Sequence, residues 1–209
     1  NASGEVLGVF VPLTLLSHDI LASGAIPRRG GSTEAKTSGA FTNTAVINTS
    51  GSPLVSGQGA GTLKVTAGAI NIQAQLKALG TDGANGKDGI LGFSGEMAQA
   101  GGDGGQITLE GTTGITINAD ILAGGGKGGQ GGKGSVGQAL SSIGAGGAGG
   151  AGGAGGLTGL MSFKTKDAAI TQAAGFTISN TGGDAGMGGK GGDGVVGVFA
   201  VGGGGSGGS

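Results

Sequence analysis

Apolar and polar residues alternate along three stretches of the chain, 62–76, 106–122 and 161–180. A period of two residues is typical of β-strands that bury one face, because successive side chains of a strand point to opposite sides. Glycine-rich tracts separate these stretches from one another. The pattern therefore predicts strands joined by glycine-rich hairpins, with no helix of convincing length.

The apolar positions of the three stretches correspond, which predicts a repeated strand unit. The first halves give one matching set: Leu63 and Val65, Ile107 and Leu109, Met161 and Phe163. The second halves give another set: Ile70 and Ile72, Ile115 and Ile117, Phe176 and Ile178. Such a unit cannot bury its apolar face alone and needs neighbouring units on which to stack.

The tracts at 80–105, 124–156 and 182–208 predict the three glycine hairpins. Within them glycine recurs with a period of three, as in GGKGGQGGK and GAGGAGGAGGAGG. A disordered linker has no reason to keep a period, whereas a polyproline-II-type helix has three residues per turn. Because that helix has no internal hydrogen bonds, its buried N–H and C=O groups must pair with neighbouring helices. We therefore expect ordered polyglycine-II helices, with flexible loops as the alternative.

The residues before the repeats, 1–60, predict a separate N-terminal β segment, and 61–209 form the glycine-rich repeat domain. EVLGVFVPLTLL (5–16) is apolar on both sides of the strand alternation. It is either a first strand that caps the repeats or a donor strand that inserts into a neighbouring subunit. The donor hypothesis places these residues in the subunit interface: Val6, Val9, Phe10, Val11, Leu13 and Leu15.

Together these patterns predict an all-β fold, with a β-solenoid or β-sandwich core and a bundle of polyglycine-II helices. Each pair of glycine tracts flanks a more apolar sequence, which becomes the tip of a hairpin. The tip residues available to touch a target are Phe93, Met97, Leu140, Ile143, Val198 and Phe199.

Composition narrows the function classes. Of 209 residues 58 are glycine, and the net charge is −1, which argues against nucleic acid as a partner. There is no cysteine, and the one histidine, His18, cannot form a histidine cluster for a metal. Acidic residues are scattered without converging partners, so we expect no enzyme activity and no cofactor.

One calcium motif fits the sequence. GGKGGDGVV (188–196) matches the nonapeptide of calcium-binding β-rolls, with Asp193 as the candidate ligand. Those rolls need tandem copies, and this chain has one copy in a glycine-rich background. The alternative is that Asp193 is an ordinary third residue of a G-G-X triplet.

The apolar stretch 6–16 is interrupted by Gly8, Pro12 and Thr14 and is too short to span a bilayer. We therefore expect no transmembrane segment. Asn rather than Met at position 1 suggests a processed chain, and with it export to an extracellular or cell-surface location.

GGDGGQITLEGTTGITINADILAGGGKGG (101–129) resembles the glycine-rich strand repeats of bacterial surface proteins of the filamentous-haemagglutinin-like and autotransporter-like group. The resemblance extends over about 62–201. It implies a right-handed parallel β-helix or related β-solenoid. The paired glycine arms also resemble the tip adhesins of T-even-like phage tail fibres, which pack polyglycine helices in a sandwich. The G-G-X period alone resembles the snow-flea antifreeze protein, but that family's cysteines are missing here.

The leading functional hypothesis is a structural subunit that polymerises with itself into an extracellular filament or surface fibre, joined by β-strand addition. The first alternative is an adhesin whose hairpin tips bind a cell-surface receptor. The second is an ice-binding protein, whose flat face would be rich in Ala, Ser or Thr. Lys and Asp at many third positions of the triplets weigh against ice binding.

Overall fold

The computed structural model describes residues 13–24, 26–27, 29–137, 145–194, 196–197, 200–201 and 205–209. These residues contain β-strands and no helix. The strands, in chain order, are β1 (Leu13–Ser17), β2 (Ile20–Ala22), β3 (Ile26–Pro27), β4 (Thr33–Thr37), β5 (Ala40–Asn43), β6 (Ile47–Asn48), β7 (Thr62–Ile72), β8 (Leu76–Lys77), β9 (Gln106–Ile117), β10 (Ile121–Leu122), β11 (Leu160–Thr165), β12 (Ile170–Gln172), β13 (Ile178–Ser179), β14 (Val196–Gly197) and β15 (Ala200–Val201).

Five successive repeats build two parallel sheets. The repeats consist of β1 to β3, β4 to β6, β7 with β8, β9 with β10, and β11 to β13. In the eight-stranded sheet, β1, β4, β7, β9 and β11 pair in that order, while β2, β5, β7, β9 and β12 pair alongside them. The five-stranded sheet has the order β3, β6, β8, β10, β13. Each repeat therefore lies one strand spacing, about 4.8 Å, from the next.

In-register pairing places apolar residues above one another to form the core. Ile47, Leu76 and Ile121 form one such column in the smaller sheet. The larger sheet contributes columns that contain Leu63 with Ile107 and Val65 with Leu109. All of these side chains are almost completely buried in a single apolar cluster.

The predicted correspondence between the repeats is confirmed for the first halves of the stretches, because Ile107 pairs with Met161 and Leu109 with Phe163. The third member of the second set is wrong. Ile115 and Ile117 pair with Ile170 and Gln172, whereas Ile178 pairs with Ile121 in the other sheet. Repeat 5 has bends and turns on both sides of β12. An alternation of apolar and polar residues does not reveal such inserted residues, so the sequence pattern alone could not place Phe176 and Ile178.

The fold-class prediction is wrong. Apart from the antiparallel pair of β14 and β15, the described residues form open parallel sheets with no closed barrel or solenoid, and they contain no helix. Parallel sheets are the strand arrangement of α/β proteins, whereas β-sandwiches are antiparallel. Alternation along a strand reports which side chains are buried and not the direction of the neighbouring strand. It therefore does not distinguish these classes.

The glycine tracts, predicted as polyglycine-II helices, form extended segments that hydrogen-bond to their neighbours. The six segments are 80–89, 95–105, 124–137, 145–159, 182–194 and 205–209, numbered 1 to 6 below. Segments 1, 3 and 5 lie side by side, since Gly83 donates to Lys127 C=O and Gly128 donates to Asp184 C=O. Segments 2, 4 and 6 form a second layer in the same way.

A second set of backbone hydrogen bonds joins the two layers. Gly102 in segment 2 donates to Thr81 in segment 1, and Gly126 in segment 3 donates to Gly102. The pattern recurs at every third residue, so each triplet bonds once within its layer and once to the other layer. In segment 3 every backbone N–H from 125 to 135 donates a hydrogen bond.

Close approach of the segments explains why two of every three residues in segments 3 and 4 are glycine. A Cβ atom on Gly131 would lie 2.0 Å from Gly150 O, and one on Gly132 would lie 1.9 Å from Lys87 O. Backbone atoms cannot yield to such contacts as a flexible side chain would. The third residue of each triplet faces outward. It is exposed in segment 3, as at Gln130, whereas Ala148 and Ala151 of segment 4 are half-buried.

We predict that Gly131→Ala destabilises the protein far more than Gln130→Ala, its neighbour at an outward position. Overpacking costs roughly 1–3 kcal/mol or more. That loss exceeds the ~0.4–1 kcal/mol that alanine contributes by restricting the unfolded chain. Thermal unfolding checks this, at about 2–4 °C per kcal/mol for a chain of this size. Equal melting temperatures for the two variants would contradict the close packing of segments 3 and 4.

Candidate functional site

The strands of the last repeat, β11, β12 and β13, have no partner on one side among the described residues, and we call this side the repeat-5 edge. Within the described residues, β11 and β12 pair only with β9, and β13 pairs only with β10. Alternate residues of a parallel strand bond to opposite neighbours. Because Leu160 N–H donates to Gly105 C=O in repeat 4, the backbone groups of Met161 and Phe163 face the open side.

Apolar side chains line this edge. Ile115 in repeat 4 is 1% exposed, whereas Ile170, its partner in repeat 5, is 45% exposed. Phe176 is also exposed, and Ile178 is only partly buried although its partner Ile121 is completely buried. Equivalent side chains are thus more exposed at the end of the stack than inside it, and the described residues leave both apolar surface and backbone groups uncovered there.

The opposite edge of the stack consists of β1, β2 and β3, which we call the repeat-1 edge. Among the described residues these strands pair only with β4, β5 and β6. The predicted donor strand 5–16 runs into β1, where Leu13 and Leu15 pair with Thr33 and Ala35 of the same chain. The other predicted interface residues, Val6, Val9, Phe10 and Val11, lie outside the described residues.

The tip of the first hairpin displays large apolar side chains. Phe93 and Met97, both predicted as tip contacts, are 69% and 77% exposed. Ile90 and Leu91 are similarly exposed, and sequence reasoning missed them although they belong to the same apolar sequence ILGF. The other predicted tip residues lie outside the described side chains: Leu140, Ile143, Val198 and Phe199.

The backbone of this tip is held in a defined conformation. Gly92 N–H donates to Ser135 Oγ at 2.6 Å, and Ser135 N–H donates to Phe93 C=O at 3.1 Å. Leu91 has a φ of 55°, in the left-handed region that non-glycine residues rarely adopt. Such strain persists only where the surrounding structure imposes it. The tip is therefore anchored to segment 3 while its apolar side chains point into solvent.

A ladder of side-chain acceptors, which sequence reasoning also missed, runs along segment 1. Each acceptor Oδ1 takes a hydrogen bond of 2.8 Å from a backbone N–H 45 residues further along the chain. The acceptors are Asp82, Asn85 and Asp88, and the donors are Lys127, Gln130 and Lys133. The signal in the sequence is Asp or Asn at every third position of GTDGANGKDG.

The two outer faces of the glycine bundle differ in chemistry. The face of segments 1, 3 and 5 carries Asp, Asn, Lys and Gln, with an ion pair between Lys127 and Asp184 at 4.0 Å. Both partners of that pair are largely exposed, so it contributes little stability. The face of segment 4 carries a row of alanines, Ala148, Ala151 and Ala154. The charged residues that weigh against an ice-binding face thus lie mostly on the layer of segments 1, 3 and 5, and not on the alanine row of segment 4. Ice binding stays a prediction.

His18, its neighbour Asp19 and the calcium candidate Asp193 do not converge on a catalytic or metal site in the described part of the chain. His18 Nδ1 lies 3.2 Å from Ser38 Oγ, while Asp19 accepts a hydrogen bond from Ala40 N–H. Asp193 is exposed near the end of segment 5, and no group of three or more His, Cys, Asp or Glu occurs among these residues. The calcium motif remains a prediction.

The described residues also include no helix long and apolar enough to cross a membrane.

We predict that Asn85→Ala speeds hydrogen exchange of the Gln130 amide, because that N–H loses its acceptor. The expected change is roughly fivefold or more, since one such hydrogen bond contributes about 1 kcal/mol. NMR-detected exchange measures it, with the neighbouring Gly131 amide as an internal reference. Gln130→Ala is the matched control because it removes a side chain but no acceptor. Unchanged exchange at position 130 in Asn85→Ala would refute the ladder.

The chain matches none of the protein-family models, curated proteins or solved structures with which it was compared. Its resemblance to glycine-rich bacterial surface repeats and to phage tail-fibre tip adhesins therefore stays a prediction. The features that bear on function are the two sheet edges, the tip of the first hairpin and the glycine bundle.

Proposed function

We propose that the chain is a structural subunit of a self-assembling extracellular filament or surface fibre whose copies join by β-strand addition. The observation that carries this proposal is the repeat-5 edge, where Ile170 is 45% exposed although its partner Ile115 is 1% exposed. An edge with free backbone groups and uncovered apolar side chains is a template for strands of another chain.

The geometry of the stack favours a filament over a closed oligomer. The two edges are different surfaces, formed by repeat 1 and repeat 5, so a contact between them is head-to-tail. Head-to-tail contacts generate open filaments unless their rotation closes a ring. Parallel in-register pairing mainly translates one repeat past the next and therefore supports open growth.

The remaining parts of the proposal are supported by the sequence. The resemblance of 101–129 to repeats of bacterial surface proteins favours an extracellular location. The net charge of −1 leaves little long-range repulsion between copies. The glycine bundle presents flat, extended faces beside the stack.

We predict that Ile170→Lys prevents fibre formation while the monomer stays folded. The side chain is 45% exposed in the single chain, so a lysine there can reach solvent. In a fibre the same position is covered, and an unpaired buried ammonium is strongly unfavourable. Electron microscopy and sedimentation detect the fibres, and circular dichroism checks the fold.

The matched control is Thr171→Lys, which adds the same charge at the adjacent, exposed position. Successive side chains of a strand point to opposite faces, so this lysine remains in solvent. Fibres from Ile170→Lys equal in amount to those of the unchanged chain would contradict assembly through this edge.

The second candidate function is adhesion to a cell-surface receptor, and the exposed tip at 90–97 favours it. Ser135 hydrogen-bonds to Gly92 N–H and Phe93 C=O, so the side chains of Phe93 and Leu91 project from a backbone of fixed conformation. Pre-ordered aromatic and aliphatic side chains are typical anchors of interfaces.

If the chain is an adhesin, Phe93→Ser lowers binding to target cells at least tenfold and leaves fibre formation unchanged, because the tip lies away from both sheet edges. Leu54→Ser, which changes an exposed apolar residue of the loop after repeat 2, is the control and keeps full binding. Labelled protein and flow cytometry measure this. Equal binding of the two variants would rule out the tip of the first hairpin as the receptor site.

A further inference from the structure

We infer that the repeat-5 edge binds the repeat-1 edge of a second copy, in the register that continues the residue ladders within the chain. This inference rests on the proposed function and names its joint. It differs from insertion of a free donor strand, because β1 keeps its pairing with β4 of its own chain and offers its second side to the neighbour.

The ladders of the larger sheet fix the register. One ladder runs through Leu13, Thr33, Leu63, Ile107 and Met161. The ladder two residues further along the strands runs through Leu15, Ala35, Val65, Leu109 and Phe163. Continued by one strand spacing, they place Leu13 of the second copy beside Met161 and Leu15 beside Phe163.

The other strands of the joint match in the same way. Ile20 and Ile170 are the two ends of a ladder that passes through Phe41, Ile70 and Ile115. Ile26 and Ile178 are the two ends of the ladder in the smaller sheet. The register therefore pairs an apolar residue with an apolar residue at the end of each of these ladders.

A slip of one residue breaks the alignment of the faces of the two strands. It would place Thr14 beside Met161 and Leu16 beside Phe163, because a one-residue shift moves every side chain to the other face. Three separate strands would have to slip together. The combination of Leu13, Leu15, Ile20 and Ile26 at one edge with apolar partners at the other thus specifies both the partner and the register.

The backbone groups available for hydrogen bonds also indicate that the larger sheet forms the main contact between the two copies. The N–H and C=O groups of Met161 and Phe163 face the open side. In the smaller sheet Pro27 has no N–H to donate, and proline within sheets is confined mainly to edge strands. The joint therefore depends mostly on β11 and β12.

Cysteine cross-linking tests the register, because the chain contains no cysteine of its own. In the inferred joint Ser162 lies beside Thr14 of the next copy, at the end of the ladder through Glu34, Lys64 and Thr108. Adjacent strands are about 4.8 Å apart, within the Cα separation that a disulfide bridges. Within one chain the two residues are four strand spacings, roughly 19 Å, apart, so any link joins two copies.

The Thr14→Cys/Ser162→Cys variant is assembled and oxidised, and we expect most of it to run as a series of covalent multimers in denaturing gels. The control, Thr14→Cys/Lys164→Cys, shifts one cysteine by two residues along β11 and is expected to stay mostly monomeric. Spin labels on the same cysteines give a second readout that does not depend on disulfide geometry, with the shorter distance expected for the first pair.

The outcomes separate the joint from the function. If fibres form but the shifted pair links as well as the first, or if spin labels at 14 and 162 are not the closer pair, the inferred register is wrong and fibre formation stands. If the unchanged chain forms no fibres, the proposed function itself fails.

Discussion

The backbone hydrogen bond between one repeat and the next is the interaction on which the whole structure depends. In the sheets it places equivalent strands one above another, so that Leu63, Ile107 and Met161 fall into one ladder. The glycine segments leave the ends of the same strands and continue the same pairing. Gly80 donates to Gly124 C=O where β8 and β10 have just paired. The sheet thus imposes the spacing that the glycine segments adopt.

That spacing explains the composition. The central segments 3 and 4, which hydrogen-bond to neighbours within their layer and in the other layer, leave no room for Cβ atoms at two of three positions, as Gly131 and Gly132 show. Ordering glycine is entropically costly, and many backbone hydrogen bonds must offset that cost. In segments 3 and 4 only the outward third position is free to vary, whereas segment 1, at the edge of its layer, keeps glycine at one position of three. The outward positions carry the Asp and Asn acceptors of segment 1 and the alanines of segment 4.

The sequence allowed the buried ladder positions to be predicted, because Val65, Leu109 and Phe163 share one alternation. The fold class could not be predicted, because the alternation of apolar and polar residues does not show whether neighbouring strands run parallel or antiparallel. The assignment of Phe176 failed because repeat 5 contains extra residues on both sides of β12.

The hydrogen bonds of Asn85 were missed because a period of three shows which residues face outward but not which neighbour they meet. The repeat-5 edge was not predictable from pattern alone, since Ile115 and Ile170 are the same residue type in the same alternation.

The proposed assembly would extend the same interaction beyond one chain. If repeat 1 of a second copy stacks on repeat 5, each subunit advances the fibre by five strand spacings, about 24 Å. Helical reconstruction by electron cryomicroscopy, together with fibre diffraction, measures this advance directly. The account predicts a 4.8 Å meridional spacing and an axial rise near 24 Å per subunit. Fibres whose subunit rise departs from that value, or whose strands do not lie across the fibre axis, would contradict the continuation of the ladders from copy to copy.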